Sequence, residues 1–185
     1  MLSRPLLTFL AALGLATPGM AQGLKLSCPT PGTTISFDSG VVVVARGKEG
    51  NDCLMDTVGG PSFRAHALIM QNPGPDGSDT SALIASIRPE RLWPLQVGKR
   101  IEAKHSSSKG SWDYVLTVAR TQQLEGPGGA LQDTYLIEMT EQATNSPYRS
   151  VSRWWISPKL GYLLRFDFSD SNGTSNRALV TKVSN

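Results

Sequence analysis

Residues 112–124 read WDYVLTVARTQQL, and the first eight positions alternate regularly in side-chain character. One set of alternate positions carries the apolar residues Trp112, Tyr114, Leu116 and Val118. Successive side chains of an extended chain point to opposite faces, so a period of two places these four on the same face. The segment therefore predicts a long β-strand with one apolar, aromatic face.

Five further segments of the C-terminal half favour extended structure, and turn-forming residues separate them. These segments are 100–105, 134–140, 148–156, 162–168 and 177–183. Short links rich in Gly, Pro and Asn, such as Gly126-Pro127-Gly128-Gly129, are typical of connections between antiparallel neighbours. Residues 92–185 are therefore predicted to form an antiparallel meander.

Residues 22–77 add three more strands at the front of the chain. Residues 33–37 alternate, residues 41–44 are a run of four Val, and the loop 72–77 holds two Pro and two Gly. One flat sheet does not tolerate so many strands. The predicted fold class is mainly β: a curved antiparallel meander, forming a half-barrel or partial barrel, with one short helix.

The short helix is predicted over residues 78–88. Its apolar residues recur at helical spacing: Ala82, Leu83, Ile84 and Ile87. Ser78 or Asp79 could cap its start, and Pro89 limits its end. The apolar stripe is expected to pack on the sheet.

The first 21 residues have the three parts of a secretory signal. Arg4 supplies the charge, an apolar run follows at residues 6–16, and small residues precede a cleavage site after Ala21. The apolar run is shorter than the ~20 residues that span a bilayer. We expect residues 22–185 to be one soluble periplasmic domain with no membrane span. Cys28 lies well beyond the apolar run, which disfavours a lipid-modified cysteine.

Cys28 and Cys53 are the two cysteines of the chain. An isolated pair in an oxidising compartment indicates a disulfide. A nucleophilic or redox thiol is the alternative, but the sequence has no CxxC motif to support it.

Charge and histidine content argue against several classes of function. The chain carries 18 Lys and Arg against 15 Asp and Glu, without a long run of one sign, so nucleic-acid binding has little support. His66 and His105 are isolated, so no metal site is predicted, and no glycine-rich motif predicts a nucleotide cofactor. His105 adjoins Ser106-Ser107-Ser108, but adjacent residues rarely attain dyad geometry, and no catalytic residue is assigned.

Aromatic residues are the strongest candidates for a binding surface. Trp154 and Trp155 are adjacent, so in a strand they point to opposite faces, and only one can face the core. The second would then face solvent, the helix or a ligand groove. The predicted ligand-binding residues are Trp112, Tyr114, Trp154 and Trp155.

Two motifs of the C-terminal half resemble a pattern in uncharacterised bacterial periplasmic proteins that are described as domains of unknown function. They are Leu92-Trp93-Pro94-Leu95-Gln96-Val97-Gly98-Lys99 and Trp155-Ile156-Ser157-Pro158-Lys159-Leu160-Gly161-Tyr162, with Asp133-Thr134-Tyr135-Leu136-Ile137-Glu138 between them. The resemblance implies a curved antiparallel sheet, an envelope location and no established catalytic residue. Periplasmic lipoprotein carriers offer a fold-level analogy, since their half-barrel holds acyl chains in its concave face.

Three functions follow as hypotheses. The first is a non-enzymatic periplasmic accessory or binding protein that holds a lipid, another amphiphile or a partner's segment on the concave face. The second is a structural subunit of an envelope complex. The third is an envelope hydrolase that uses dispersed carboxylates or His105.

Overall fold

A computed structural model describes residues 23–185 of the chain. The predicted signal and its cleavage site after Ala21 lie outside the described residues. The strands are β1 Thr34–Phe37, β2 Val42–Glu49, β3 Asp52–Thr57, β4 Ser62–His66, β5 Met70–Asn72, β6 Arg100–Ser107, β7 Gly110–Glu125, β8 Leu131–Ala143, β9 Arg149–Ser157, β10 Tyr162–Asp170 and β11 Ser175–Ser184. Helix α1 is Ser81–Ile87, and 3-10 turns span Pro89–Leu92 and Pro127–Gly129.

All eleven strands form one antiparallel sheet in the order β5-β4-β3-β2-β1-β11-β10-β9-β8-β7-β6. Each half of the chain is a meander, and the two meanders join where β1 pairs with β11. The sheet is therefore continuous but open, with β5 and β6 as its edges. The predicted mainly-β fold class, a curved antiparallel meander with a short helix, is confirmed.

The front half contributes five strands rather than the three expected. The extended run at residues 62–70 is divided because Ala67 and Leu68 both adopt positive φ, at 51° and 62°. Neither residue is Gly, so no local pattern predicts a turn there. Both residues are buried, and the Trp93 indole N–H donates to the Ala67 carbonyl at 3.1 Å, which holds this turn in place.

Helix α1 and the 3-10 turn after it occupy the space between the two sheet edges. On one side, the Asn72 amide of β5 donates to the Ser81 hydroxyl at 2.7 Å. On the other, α1 packs against β6. Because one short segment contacts both edges, the sheet must curl towards closure.

The helix begins later than expected. Thr80 takes the N-cap position without a side-chain cap, while the Asp79 carboxylate accepts the Ser81 backbone N–H at 2.9 Å. Arg88 ends the helix in the left-handed conformation, next to Pro89. Ile87 is buried, as expected for the stripe facing the sheet.

The core lies on the concave face and includes residues from both meanders and from the helical segment. Its most buried members include Ile35, Met55, Leu92, Leu116, Ile137 and Ile156. The predicted alternation of β7 is reproduced, since Tyr114, Leu116 and Val118 all belong to this core.

The Cys28–Cys53 disulfide is present, with Cα atoms 5.5 Å apart. Cys53 is fully buried in β3, whereas Cys28 belongs to the segment that precedes β1. The bond therefore fastens the leading segment to the front meander.

Candidate functional site

The predicted aromatic residues separate into two groups. Trp112, Tyr114 and Trp154 lie on the concave face, whereas Trp155 lies on the opposite face. Tyr114 and Trp154 are buried at 4% and 6% exposure, so they belong to the core. Trp112 is only partly buried and is the member of the set that can contact a ligand without unfolding the core.

Trp112 lines a cleft of about 480 Å³, which we call the Trp112 cleft. It lies where the β6–β7 and β8–β9 turns meet at one end of the sheet. Its lining residues are Lys109, Gly110, Ser111, Trp112, Glu141, Ala143, Asn145, Ser146 and Tyr148. The cleft thus combines two aromatic side chains with one carboxylate.

Two hydroxyl groups hold the Glu141 carboxylate. The Tyr114 hydroxyl donates to Oε1 at 2.9 Å, and the Ser150 hydroxyl donates to Oε2 at 2.9 Å. Burial, followed by the charge of Glu141, raises the pKa of Tyr114 well above its ordinary value. Tyr114 therefore remains a neutral hydrogen-bond donor, and it orients Glu141 at the cleft rather than forming part of its surface.

Sequence reasoning missed Glu141 and Tyr148 as cleft residues. The alternation of apolar residues along β8 can be read from the sequence. The pairing of Tyr114 with Glu141, however, depends on the β7–β8 register, which shifts between Val118 and Arg120. Turn residues 126–129 locate the β7–β8 hairpin, yet they do not indicate that irregularity. The cleft partners therefore became apparent only in the folded chain.

Trp155 is buried on the convex face, at 5% exposure. The Arg165 guanidinium lies 4.7 Å from its ring centroid, and Arg165 also pairs with Asp167. Leu136, opposite Trp155 on β8, is buried as well. The indole N–H of Trp155 has no hydrogen-bond partner within residues 23–185. These residues form a small packed cluster, so Trp155 offers no open surface.

His66 connects the front meander to the 3-10 turn after α1. Its Nδ1 lies 2.5 Å from Asp52 Oδ1, and its Nε2 lies 3.2 Å from Glu90 Oε2. These side chains border a second cleft, of about 510 Å³, beside α1. Both ring nitrogens already face carboxylates, so neither is free to activate a nucleophile. The arrangement is a polar link between two parts of the fold.

His105 contacts Ser86 of α1 rather than the serines beside it in the sequence. Its Nδ1 lies 3.0 Å from the Ser86 hydroxyl oxygen. That hydroxyl also donates its proton to the Ala82 carbonyl at 2.9 Å. Because a hydroxyl has one proton to donate, the imidazole must be the donor in the Ser86 contact. This geometry does not support a Ser-His catalytic pair.

Within residues 23–185, no group of three or more His, Cys, Asp or Glu side chains could hold a metal ion. In the same part of the chain, no helix is long and apolar enough to cross a membrane.

Glu90→Gln is expected to change the acid stability of the protein. Burial acts to raise the pKa of Glu90, but a backbone hydrogen bond, His66 and Arg88 outweigh it and lower the pKa. A lowered folded-state pKa stabilises the fold above the unfolded-state pKa, and this contribution disappears as pH falls through the folded-state pKa. The variant should therefore be less stable by about 1 kcal/mol at pH 7, and the deficit should be smaller near pH 3.

Urea unfolding at both pH values measures this difference. Glu102→Gln, at an exposed carboxylate on β6, is the matched control and should change stability little at either pH. An undiminished deficit of Glu90→Gln near pH 3 would contradict the role of the charged carboxylate.

Comparison with known proteins identifies solved structures that are distantly similar to this chain. No protein-family model matches the sequence, and no curated protein is detectably similar to it. The hypothetical lipoprotein YmcC from Escherichia coli K12 is 10% identical, with 83% of this chain and 84% of that chain covered and a TM-score of 0.46. A candidate lipoprotein from Parabacteroides distasonis is 14% identical, with coverage of 88% and 100% and a TM-score of 0.43.

A candidate exported protein with a YmcC-like fold from Bacteroides fragilis is 8% identical, with coverage of 88% and 100% and a TM-score of 0.39. All three TM-scores lie below 0.5, so these likenesses do not bear on the function.

Proposed function

We propose that the protein is a non-enzymatic binding protein of the periplasm that holds a small apolar or amphipathic ligand in the Trp112 cleft. The observation that carries the proposal is the partly buried Trp112, which borders an open cleft together with Tyr148. A volume of about 480 Å³ is within the usual range of small-molecule sites. The signal-like residues 1–21 and the disulfide support export to an oxidising compartment.

The cleft suits an amphipathic ligand better than a purely apolar one. Trp112 and Tyr148 offer aromatic surface, whereas Glu141, Asn145 and Ser146 offer polar groups at the same site. A ligand with both kinds of surface would contact all of them at once. We therefore favour an amphiphile over a long acyl chain enclosed by the sheet, because the concave face is filled by core side chains.

The two other hypotheses receive less support. An assembly role through an open sheet edge is disfavoured at β6, where exposed Arg100, Glu102 and Lys104 alternate along the strand. Charged side chains of this kind discourage pairing with another strand. A hydrolase that uses a histidine is disfavoured because the contacts of His66 and His105 leave neither positioned as a base.

Trp112→Ala is expected to weaken binding of the uncharged amphiphile dodecyl maltoside at least tenfold. The substitution removes an aromatic face that the ligand would cover, and tenfold corresponds to about 1.4 kcal/mol. Isothermal titration below the micelle concentration measures it, because a fluorescence signal would lose its reporter along with Trp112. Leu131→Ala, at an exposed position of β8 remote from the cleft, is the control.

Saturable binding by the parent that Trp112→Ala impairs and Leu131→Ala retains would support the proposal. Equal affinity in parent and Trp112→Ala, or no saturable binding by the parent, would contradict it. Mass spectrometry of molecules that co-purify with the protein from periplasm would then identify the natural ligand.

A further inference from the structure

Glu141 and Asp170 differ from the other partly buried carboxylates in lacking a cationic partner within residues 23–185. Six such carboxylates have a Lys, Arg or His nitrogen within 4 Å: Asp52, Asp56, Glu90, Asp113, Glu138 and Asp167. Glu141 has hydroxyl partners only, from Tyr114 and Ser150, and forms no ion pair within residues 23–185. A carboxylate removed partly from water and left without a cation favours a positively charged partner from outside.

A second carboxylate, that of Asp170, acts electrostatically on the cleft lining without belonging to it. Asp170 is also partly buried, and it accepts the backbone N–H groups of Asn172 and Thr174 rather than a cation. Burial acts first to raise the pKa of Tyr148, and the charges of Glu141 and Asp170 both add to this rise. Both carboxylates therefore act electrostatically on a side chain that lines the Trp112 cleft.

The aromatic lining strengthens the attraction for a cation. The faces of Trp and Tyr rings carry negative charge density and attract ammonium groups, the more so when water is partly excluded. Trp112 and Tyr148 line the cleft beside Glu141. A carboxylate combined with two aromatic rings is a chemical environment suited to a substituted ammonium group.

Lys109 is the one cationic side chain of the cleft lining. It lies in the β6–β7 turn and forms no ion pair with Glu141 in the described part of the chain. Its charge instead makes a small contribution, after the hydrogen bonds of Ser78, to lowering the pKa of Asp76. Lys109 is therefore not the counter-ion of Glu141, although its charge in the cleft lining opposes the binding of a cation.

We infer that the Trp112 cleft selects amphiphiles with a positively charged ammonium group, which Glu141 binds as counter-ion while Trp112 and Tyr148 contact it. The inference rests on the proposed function, since it names the ligand class of the same site. The chain as a whole has a net charge of +3, which repels cations. A preference for a cationic ligand would therefore reflect the local site rather than the overall charge.

The experiment compares two probes with the same alkyl chain, dodecyltrimethylammonium and dodecyl maltoside, by isothermal titration below their micelle concentrations. The parent should bind the cationic probe at least tenfold more tightly at low salt. In Glu141→Gln, which keeps the size and an acceptor oxygen, this ratio should fall to within about twofold. Glu138→Gln, on the opposite face of the same strand, should retain the ratio of the parent.

Salt dependence tests the inference without any variant. Raising the ionic strength should weaken binding of the cationic probe and leave that of dodecyl maltoside nearly unchanged. A ratio near one in the parent, or an undiminished ratio in Glu141→Gln, would overturn the inference while binding of dodecyl maltoside upholds the proposed function. Absence of saturable binding of both probes would overturn both.

Discussion

Replacing both cysteines, as Cys28→Ala with Cys53→Ala, is expected to lower the free energy of unfolding by about 3 kcal/mol. The bond closes a loop between residues separated by 25 positions, and the entropy that it removes from the unfolded chain predicts a loss of that size. Cys53 is fully buried, so the double variant also leaves apolar surface in the core less well packed.

The segment before β1 that the disulfide fastens also makes noncovalent contacts with the sheet. A side chain at Gly161, which has φ of 64°, would come within 3.3 Å of the Cys28 backbone, so the β9–β10 link packs directly against this segment. Lys48 of β2 additionally donates to the Leu26 carbonyl at 2.9 Å. Leu24 also forms an antiparallel β-bridge with Leu95, through N–H···O bonds of 3.1 and 2.8 Å. Without the covalent bond, noncovalent contacts of these kinds would hold residues 24–28 in place.

Urea unfolding without reductant measures the loss, and dithiothreitol provides the control. Reductant should destabilise the parent by a similar amount and leave the double variant unchanged. A double variant as stable as the oxidised parent would show that the contacts of the leading segment, rather than the bond, maintain its position.

The sequence predicted those features of the fold that depend on local patterns. The alternation along β7, the turn at residues 126–129 and the helical spacing before Pro89 each express the steric preferences of neighbouring residues. The cysteine pairing was predictable because only two cysteines exist. These features determine the fold class and the general course of the chain.

Features that depend on distant contacts could not be predicted in this way. The turn at Ala67 and Leu68 has no local signal, since a contact from Trp93 and burial hold its backbone. The pairing of His66 with Glu90 joins residues 24 positions apart through the curl of the sheet. Glu141 reaches the cleft only in a register altered by an irregularity in β7.

The adjacent tryptophans illustrate the same limit. Opposite directions for Trp154 and Trp155 follow from the geometry of any strand. The burial of both side chains does not follow from strand geometry, because it requires residues that pack over the convex face of the sheet as well as the concave face. Leu136 and Arg165 on the neighbouring strands contribute to that cover for Trp155.

Trp154→Ala is expected to lower the free energy of unfolding by about 3–5 kcal/mol, the usual range for a large aromatic side chain removed from a core. Trp154 lies opposite the fully buried Ile137, and its ring centroid is 5.6 Å from that of Phe166. Truncation would open a cavity at the centre of the β6–β11 meander, where the paired strands β8 and β10 on either side of β9 restrict collapse. Urea unfolding monitored by far-ultraviolet circular dichroism measures the loss.

Trp112→Ala is the matched control, because it makes the same chemical change on the same face of the sheet. Trp112 borders an open cleft, so solvent can fill the space that its ring leaves, and we expect less than half the loss of Trp154→Ala. Similar losses in the two variants would mean that Trp112 serves mainly as a core residue, and weaker ligand binding by Trp112→Ala could then reflect a disturbed fold. A much smaller loss of stability for Trp112→Ala would separate the two roles. Trp154 would then stabilise the sheet, and Trp112 would be available to a ligand beside the β6–β7 and β8–β9 turns.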